Sequence, residues 1–391
     1  MIFMDFETVQ QQDKAYLAGT YRRFPVCLTE GSGATLKDET GKEYIDFGSG
    51  IGVNAFGVGD EVWKNAVIEQ VNRIQHASNL YYTQPQVRLA QLLIEKTGAK
   101  KVFFGNSGAE ANECAIKVAR KYSFDRYGEG RYEIVTLKNS FHGRTIATLS
   151  ATGQDALHTN FMPFLEGFTY AEPTISDLER HLSPKTCAVM LELVQGESGV
   201  RELDRAFVDY VAEICKERDI LLIVDEVQTG NGRTGKLYAY QHYGITPDVV
   251  TTAKGLGGGL PLGACMMFER TQNVLVPGSH GSTFGGNPVC CAGAYSVLSR
   301  LTDEFLLEVQ GKAAYLRTHL NHLPNVEKVT GIGLMIGLQI KDRKASEIAA
   351  KCLERGLLVL TAHERVRLLP PLCVTKREMD DALNILKEVL S

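Results

Sequence analysis

Through the middle of the chain, short apolar runs alternate with amphipathic stretches. Ile220-Leu-Leu-Ile-Val224 has no polar position, the pattern of a strand buried on both faces of a parallel sheet. Residues 101–104, 133–137, 187–194 and 247–253 read as further strands. Between two of these, residues 205–218 place Phe207, Tyr210, Val211 and Ile214 at helical spacing. Strands and helices alternating at roughly 25–35 residues predict β-α-β units and a mostly parallel sheet with helices on both faces. The run 263–268 reads as one more strand, antiparallel and at the sheet edge.

The flanks read differently. Residues 26–29, 34–37 and 43–47 alternate, with Asp38-Glu-Thr-Gly41 as a turn, which predicts small antiparallel hairpins. Gly48–Gly52 reads as a flexible connection. Helices are expected over 60–74, from Gln84 onward, and over 288–301 and 302–320. The chain closes with strand 334–340, helix 344–355, strands 357–360 and 366–369, and helix 376–390, a compact α+β unit.

Several apolar runs end in reactive residues. The run at 220–224 stops at Asp225-Glu226, and the run at 247–253 delivers Lys254, followed by Gly255-Leu-Gly-Gly-Gly259. Charged groups at the carboxyl ends of parallel strands sit where α/β sheets hold ligands. An aspartate and a lysine presented this way suit a cofactor with a cationic ring nitrogen and an aldehyde, and pyridoxal phosphate (PLP) has both. After the strand at 101–104, Gly105-Asn-Ser-Gly-Ala-Glu110 opens a helix and aims free N–H groups at an anion. The same residues also read as a capped helix start, with Asn106 or Ser107 as the cap. Phe141 stands in a polar loop with nothing local to bury it; a flat cofactor would. Gly230-Asn-Gly-Arg-Thr-Gly235 matches G-x-G-x-x-G, but it follows two acids that would repel a pyrophosphate and opens no clear helix. It reads as a tight loop.

Composition narrows the alternatives. A chain of 391 residues exceeds one small core and suggests two domains. At 44% hydrophobic and 23% charged it is ordinary for a globular protein. A net charge of −4 gives no reason to expect nucleic acid or an anionic membrane as partner. No apolar window approaches ~18 residues, so no membrane span is expected. Met1-Ile-Phe-Met-Asp-Phe-Glu7 lacks basic residues and reads as a mature cytosolic terminus. The nine cysteines form no C-x-x-C pair; Cys187, Cys215, Cys265 and Cys352 read as buried small hydrophobes in a reducing compartment. His319-Leu-Asn-His322 reads as the outer face of a helix, and no metal is expected.

Six motifs stand in order: Asn106-Ser-Gly-Ala-Glu-Ala-Asn112, Phe141-His-Gly-Arg144, Gln195-Gly-Glu197, Asp225-Glu-Val-Gln228, Thr252-Ala-Lys-Gly-Leu-Gly-Gly-Gly259 and Gly281-Ser-Thr-Phe-Gly-Gly-Asn-Pro288. With them the chain resembles the class III, fold-type I PLP aminotransferases, and among these the acetylornithine aminotransferases, from Thr20 to Pro371. The resemblance implies a large PLP-binding domain over 57–285, with segment 1–56 packing against a small domain. Residues 286–391 would supply a linking helix and that small domain. It implies PLP, with Lys254 as covalent anchor and proton carrier and Asp225 at the ring nitrogen. Phe141 would cover a ring face, Gln228 would meet the ring oxygen, and Ser107, Gly108 and Ala109 would take the phosphate.

Thr283 would reach the phosphate of the partner subunit, which implies a homodimer with shared active sites. Arg144 and Arg367 would bind substrate carboxylates, with further contacts from Ser282 and Tyr21. Glu197 would pair with Arg367 until a 2-oxo acid displaces it. The implied reaction moves the δ-amino group of N2-acetylornithine to 2-oxoglutarate, in cytoplasmic arginine biosynthesis. Ornithine, succinylornithine, succinyldiaminopimelate and 4-aminobutyrate aminotransferases share most of these motifs; a PLP-binding protein without catalysis is the alternative from another class. The chain departs from the family pattern at Gly57-Val-Gly-Asp-Glu61, Leu193, Thr229 and Asn231.

Overall fold

The computed structural model describes residues 4–391; the start of the terminus, Met1–Phe3, lies outside them. At its centre is a seven-stranded sheet of β1 (Lys101–Gly105), β2 (Glu133–Leu137), β3 (Phe168–Ala171), β4 (Thr186–Leu191), β5 (Leu221–Asp225), β6 (Val249–Thr252) and β7 (Gly263–Met267). Their spatial order is β1-β7-β6-β5-β4-β2-β3. β7 alone runs against the rest, pairing antiparallel with both β6 and β1. It is therefore not the edge strand expected from sequence. β1 lies outside it, and all five β7 residues are buried.

Alternate residues of β5 divide the core. Leu222 and Val224 join one apolar cluster with Phe207 and Val211, whereas Leu221 and Ile223 join another with Cys114, Ile116 and Val118. The first cluster is covered by helix Arg205–Glu217, the second by helix Gly108–Tyr127. A strand clothed on both sides must be apolar throughout, which is why 220–224 carries no polar residue. Each fully buried aliphatic side chain there contributes roughly 1.5–3 kcal/mol.

Three local readings differ from expectation. The run at 187–194 is not one strand: β4 stops at Leu191, and Val194–Gln195 pairs separately with Arg201–Glu202. Strand Val326–Thr330, unforeseen, has only one buried residue, Thr330, and so shows little apolar signal. It pairs with Ile336–Ile340, which pairs in turn with Arg365–Leu368, placing Arg367 opposite Gly337. The N-terminal strands Leu28–Ser32, Thr35–Asp38 and Glu43–Asp46 are antiparallel, and Leu357–Leu358 adds to them in parallel. Ser49–Gly52 is a tight turn, not a free connection: Ser49 is buried, and its hydroxyl donates to the Leu369 carbonyl. At Gly57-Val-Gly59, Val58 exchanges backbone hydrogen bonds with Gly33, and both glycines are left-handed. Asp60 then caps helix Glu61–Val71 and pairs with Arg300.

Candidate active site

The carboxyl ends of β1, β2, β4, β5 and β6 open, with the amino end of β7, onto one cavity of about 640 Å³. β5 delivers buried Asp225 into its wall. Asp225 Oδ2 accepts from Asn112 Nδ2 and meets His142 Nδ1, both at 2.8 Å, and Oδ1 accepts from Val227 N at 2.9 Å. A carboxylate so close assigns the ring proton to His142 Nδ1. Asn112 also donates to the His142 carbonyl at 2.7 Å. The aspartate is thus held from a helix, a loop and its own turn. Its neighbour Glu226 turns away from the cavity and is fully buried, accepting from Tyr240 N at 2.8 Å.

Beyond β6, Lys254 lines the cavity with a left-handed backbone, φ 44°. Burial lowers its ammonium pKa, opposed by Glu197 and assisted by Arg367. An ammonium group easier to deprotonate presents more of its neutral, nucleophilic form at a given pH. β1 leads into Ser107, the cap of helix Gly108–Tyr127, whose Oγ accepts from Glu110 N at 3.1 Å. The amides of Gly108 and Ala109 find no acceptor among the described residues. A Cβ at Gly108 would lie 2.7 Å from Val227 Cγ1, so any side chain there would have to displace Val227. Free amides at a helix start facing a cavity form an anion cradle.

Phe141 lines the same cavity, and Arg144, exposed, lies with its Cζ 5.3 Å from the Phe141 ring centre. The Phe141 amide donates to Glu192 Oε1 at 2.8 Å, and Glu192 Oε2 accepts from Gly196 N at 3.3 Å. Burial pushes the Glu192 carboxyl up to about 7, with His142 opposing and Asp225 adding to the rise. Gln228 stands in the wall, and Tyr21 reaches it from the N-terminal segment although 75% exposed.

Beside the cavity, buried Arg367 donates from Nη1 to Glu197 Oε1 at 2.7 Å and to Gln228 Oε1 and the Gly196 carbonyl at 3.2 Å. Gln228 Nε2 donates to Glu197 Oε1 at 3.3 Å. Burial works against ionisation of Glu197, but the Arg367 charge and hydrogen bond outweigh it and hold the carboxyl below its ordinary value. Ser282 Oγ accepts from Asn106 Nδ2 at 3.2 Å. Thr283 is exposed and lies outside the cavity wall of its own chain.

Of this wall, sequence reasoning singled out Tyr21, Ser107, Gly108, Ala109, Phe141, Arg144, Asp225, Gln228 and Lys254, but not the polar residues Asn112, His142 or Glu192. The first two lie inside quoted motifs, and their partner Asp225 is remote in sequence. Glu192 was hidden in the run read as one strand. No group of three or more His, Cys, Asp or Glu able to hold a metal occurs among the described residues. An amine, an aspartate, an aromatic face and an amide cradle in one cavity fit a planar cationic ring with an anionic arm, as in PLP. Buried His142 Nε2 and Arg367 Nε have no partner of their own.

Comparison with known proteins agrees. The family model "Aminotransferase class-III" matches residues 16–390. The chain is similar to the acetylornithine aminotransferase of Haemophilus ducreyi, at 48% identity over 99% of this chain and 100% of that one. It is 47% identical to that of Caldanaerobacter subterraneus subsp. tengcongensis, over 97% and 98% of the two chains. Among solved structures it is similar to the ornithine aminotransferase of Toxoplasma gondii (TM-score 0.95, 30% identity, covering 99% and 95%). It is also similar to the acetylornithine aminotransferase of Elizabethkingia anophelis (TM-score 0.88, 30% identity, 99% of each chain). With its cavity at the strand ends and a family match over nearly its whole length, the chain belongs to the class-III aminotransferases.

Proposed function

We propose that this aminotransferase moves the δ-amino group of N2-acetylornithine to 2-oxoglutarate, giving N-acetylglutamate 5-semialdehyde and glutamate, in arginine biosynthesis in the cytoplasm. The observation that carries the substrate is the near-complete alignment, at 47–48% identity, with two acetylornithine aminotransferases. The ornithine aminotransferase of near-identical fold is only 30% identical; it supports ornithine as the second reading. Nine free cysteines suit a reducing compartment, and no helix among the described residues is long and apolar enough to cross a membrane.

PLP, which the family implies, supplies when bound an electrophilic carbonyl and an electron-withdrawing ring. Lys254 Nζ would anchor it and carry the substrate proton, burial easing loss of the ammonium proton. Asp225, fixed by Asn112 and His142, holds the ring nitrogen protonated. Ser107, Gly108 and Ala109 bind the phosphate, Phe141 covers the ring and Gln228 orients its oxygen. Arg144 and Arg367 bind carboxylates, with Ser282 and Tyr21 as further contacts. Glu197 occupies Arg367 until the second carboxylate of 2-oxoglutarate replaces it.

Thr283 serves the phosphate site of a second copy. Its exposure supports this, as does the exposed apolar surface of Leu80, Tyr81, Tyr82 and Phe284. A homodimer covering that surface is part of the reading.

The test is the visible absorption of the PLP-loaded protein, titrated separately with N2-acetylornithine, ornithine and 4-aminobutyrate. Bleaching by acetylornithine at the lowest concentration, reversed by 2-oxoglutarate, is the expected result. Ornithine acting first would install the second reading, and a band unmoved by all three would remove the function.

A further inference from the structure

The Gly230–Gly235 loop, which resembles a nucleotide fingerprint but reads as a turn, is left unexplained by the reaction. It is buried: Asn231, Arg233 and Thr234 are each about as inaccessible as core residues. Asn231 Nδ2 donates to Thr252 Oγ1 at 2.9 Å and to the Ala253 carbonyl at 3.1 Å, the two residues before Lys254. Its Oδ1 is buried without a partner. Two positions further on, Arg233 Nη1 donates to the Leu334 carbonyl at 3.1 Å and to the Pro370 carbonyl, and its own carbonyl accepts from Leu334 N at 3.0 Å. Leu334 and Pro370 flank the paired strands in which Gly337 lies opposite Arg367.

One short loop therefore touches both the peptide that presents the lysine and the strands that present the arginine. Lys254 needs such a hold. Its φ of 44° is left-handed. A non-glycine residue keeps such a conformation only when its surroundings impose it. We propose that the Gly230–Gly235 loop is a positioning element that sets Lys254 against Arg367, Asn231 holding the lysine's peptide and Arg233 the arginine's strands. The inference rests on the roles of Lys254 and Arg367 proposed above. Neither Asn231 nor Arg233 touches the reacting atoms; both act through others.

The experiment compares Asn231→Gly, Asn231→Asp and Arg233→Lys with wild type. Asn231 has a left-handed backbone, φ 57°, so glycine removes the carboxamide without backbone strain. Aspartate keeps the size but cannot donate to the Ala253 carbonyl. Both variants should lose at least about tenfold in kcat, as misplacement of a reacting group predicts, with KM for 2-oxoglutarate unchanged. The pH midpoint of their visible cofactor band should move away from that of wild type. Arg233→Lys should show the opposite split, a raised KM for 2-oxoglutarate with a smaller change in kcat.

Wild-type kcat and band midpoint in Asn231→Gly would overturn the proposal, and so would equal changes in kcat and KM in all folded variants. If Arg233→Lys does not fold, the two Asn231 variants decide alone. Borohydride trapping of the cofactor followed by peptide mapping separates the two levels of the argument. Cofactor absent from Lys254 in wild type overturns both readings; cofactor present there, with Asn231→Gly unimpaired, overturns this one only.

Discussion

Two ends of the site, Asp225 in the cavity wall and the Glu197–Arg367 pair beside the cavity, hold their charges in different ways. Asp225 is buried and fastened through both oxygens by three donors, from a helix, a loop and its own turn. The Glu197–Arg367 pair rests on one oxygen and one nitrogen, and the Glu197 side chain keeps 31% of its exposure. A charge fixed from three sides suits a partner that never leaves. A charge pair made through single atoms, with one member reaching solvent, suits a partner that comes and goes. On the proposed reaction, the contrast would let one site serve both a resident cofactor and two alternating substrates.

The fixed end is broken hardest by Asp225→Ala. It removes the ring's counter-charge and leaves Asn112 and His142 unpaired, so turnover should fall by roughly 10²–10⁴-fold, the range of an essential protonic group. Both half-reactions should fall together, with cofactor binding partly retained; stopped-flow measurement of each would show it, and near-wild-type turnover would sink the assignment. At the exchangeable end Arg367→Ala should act on one substrate. Loss of a charged hydrogen-bond partner corresponds to about 10–150-fold in affinity, read as a raised KM for 2-oxoglutarate with the acetylornithine half-reaction much less affected. Glu197→Gln should be milder and opposite in sign. It removes the competing charge, so KM for 2-oxoglutarate should drop by about 1.5- to 5-fold, the worth of a partly exposed ion pair. A rise instead would mean that Glu197 positions Arg367 and does not compete for it.

The same contrast separates what was legible in the sequence from what was not. Asp225 stood out because it ends an apolar run that suits a doubly covered strand, and Lys254 because it stands between a strand and a glycine run. Arg367 and Glu197 became sites only through family resemblance, since an arginine in a short strand and a glutamate in a loop are commonplace. Asn112, His142 and Glu192 escaped because their meaning lies in a partner: 113 residues separate Asn112 from Asp225, and 51 separate Phe141 from Glu192. β7 was misplaced because strand order depends on which neighbour arrives, and the run itself does not name β1 as the strand outside it.

Glu226 sharpens the comparison from the stability side and carries the smallest effect on catalysis. It adjoins Asp225 but points into the core, where burial pushes its carboxyl from 4.5 to about 7; hydrogen bonds from Thr229 and the Tyr240 amide pull the other way, and Asp225 adds to the rise. Unfolded, the group keeps its ordinary value. Between pH 4.5 and about 7 the folded protein therefore holds a proton that the unfolded chain has released, and this group makes stability fall as pH rises. Its penalty is absent below that window, grows through it and is constant above it. Glu192 titrates over the same range with the same sign, so the wild-type slope belongs to both. Glu226→Gln imitates the protonated form and deletes one contribution. Relative to wild type it should gain on the order of 3 kcal/mol between the bottom and the top of the window. Urea unfolding of both proteins across that range measures the difference directly. A difference independent of pH would show Glu226 ionised in the folded state throughout; the second buried carboxylate would then have to be balanced by a donor, as Asp225 is.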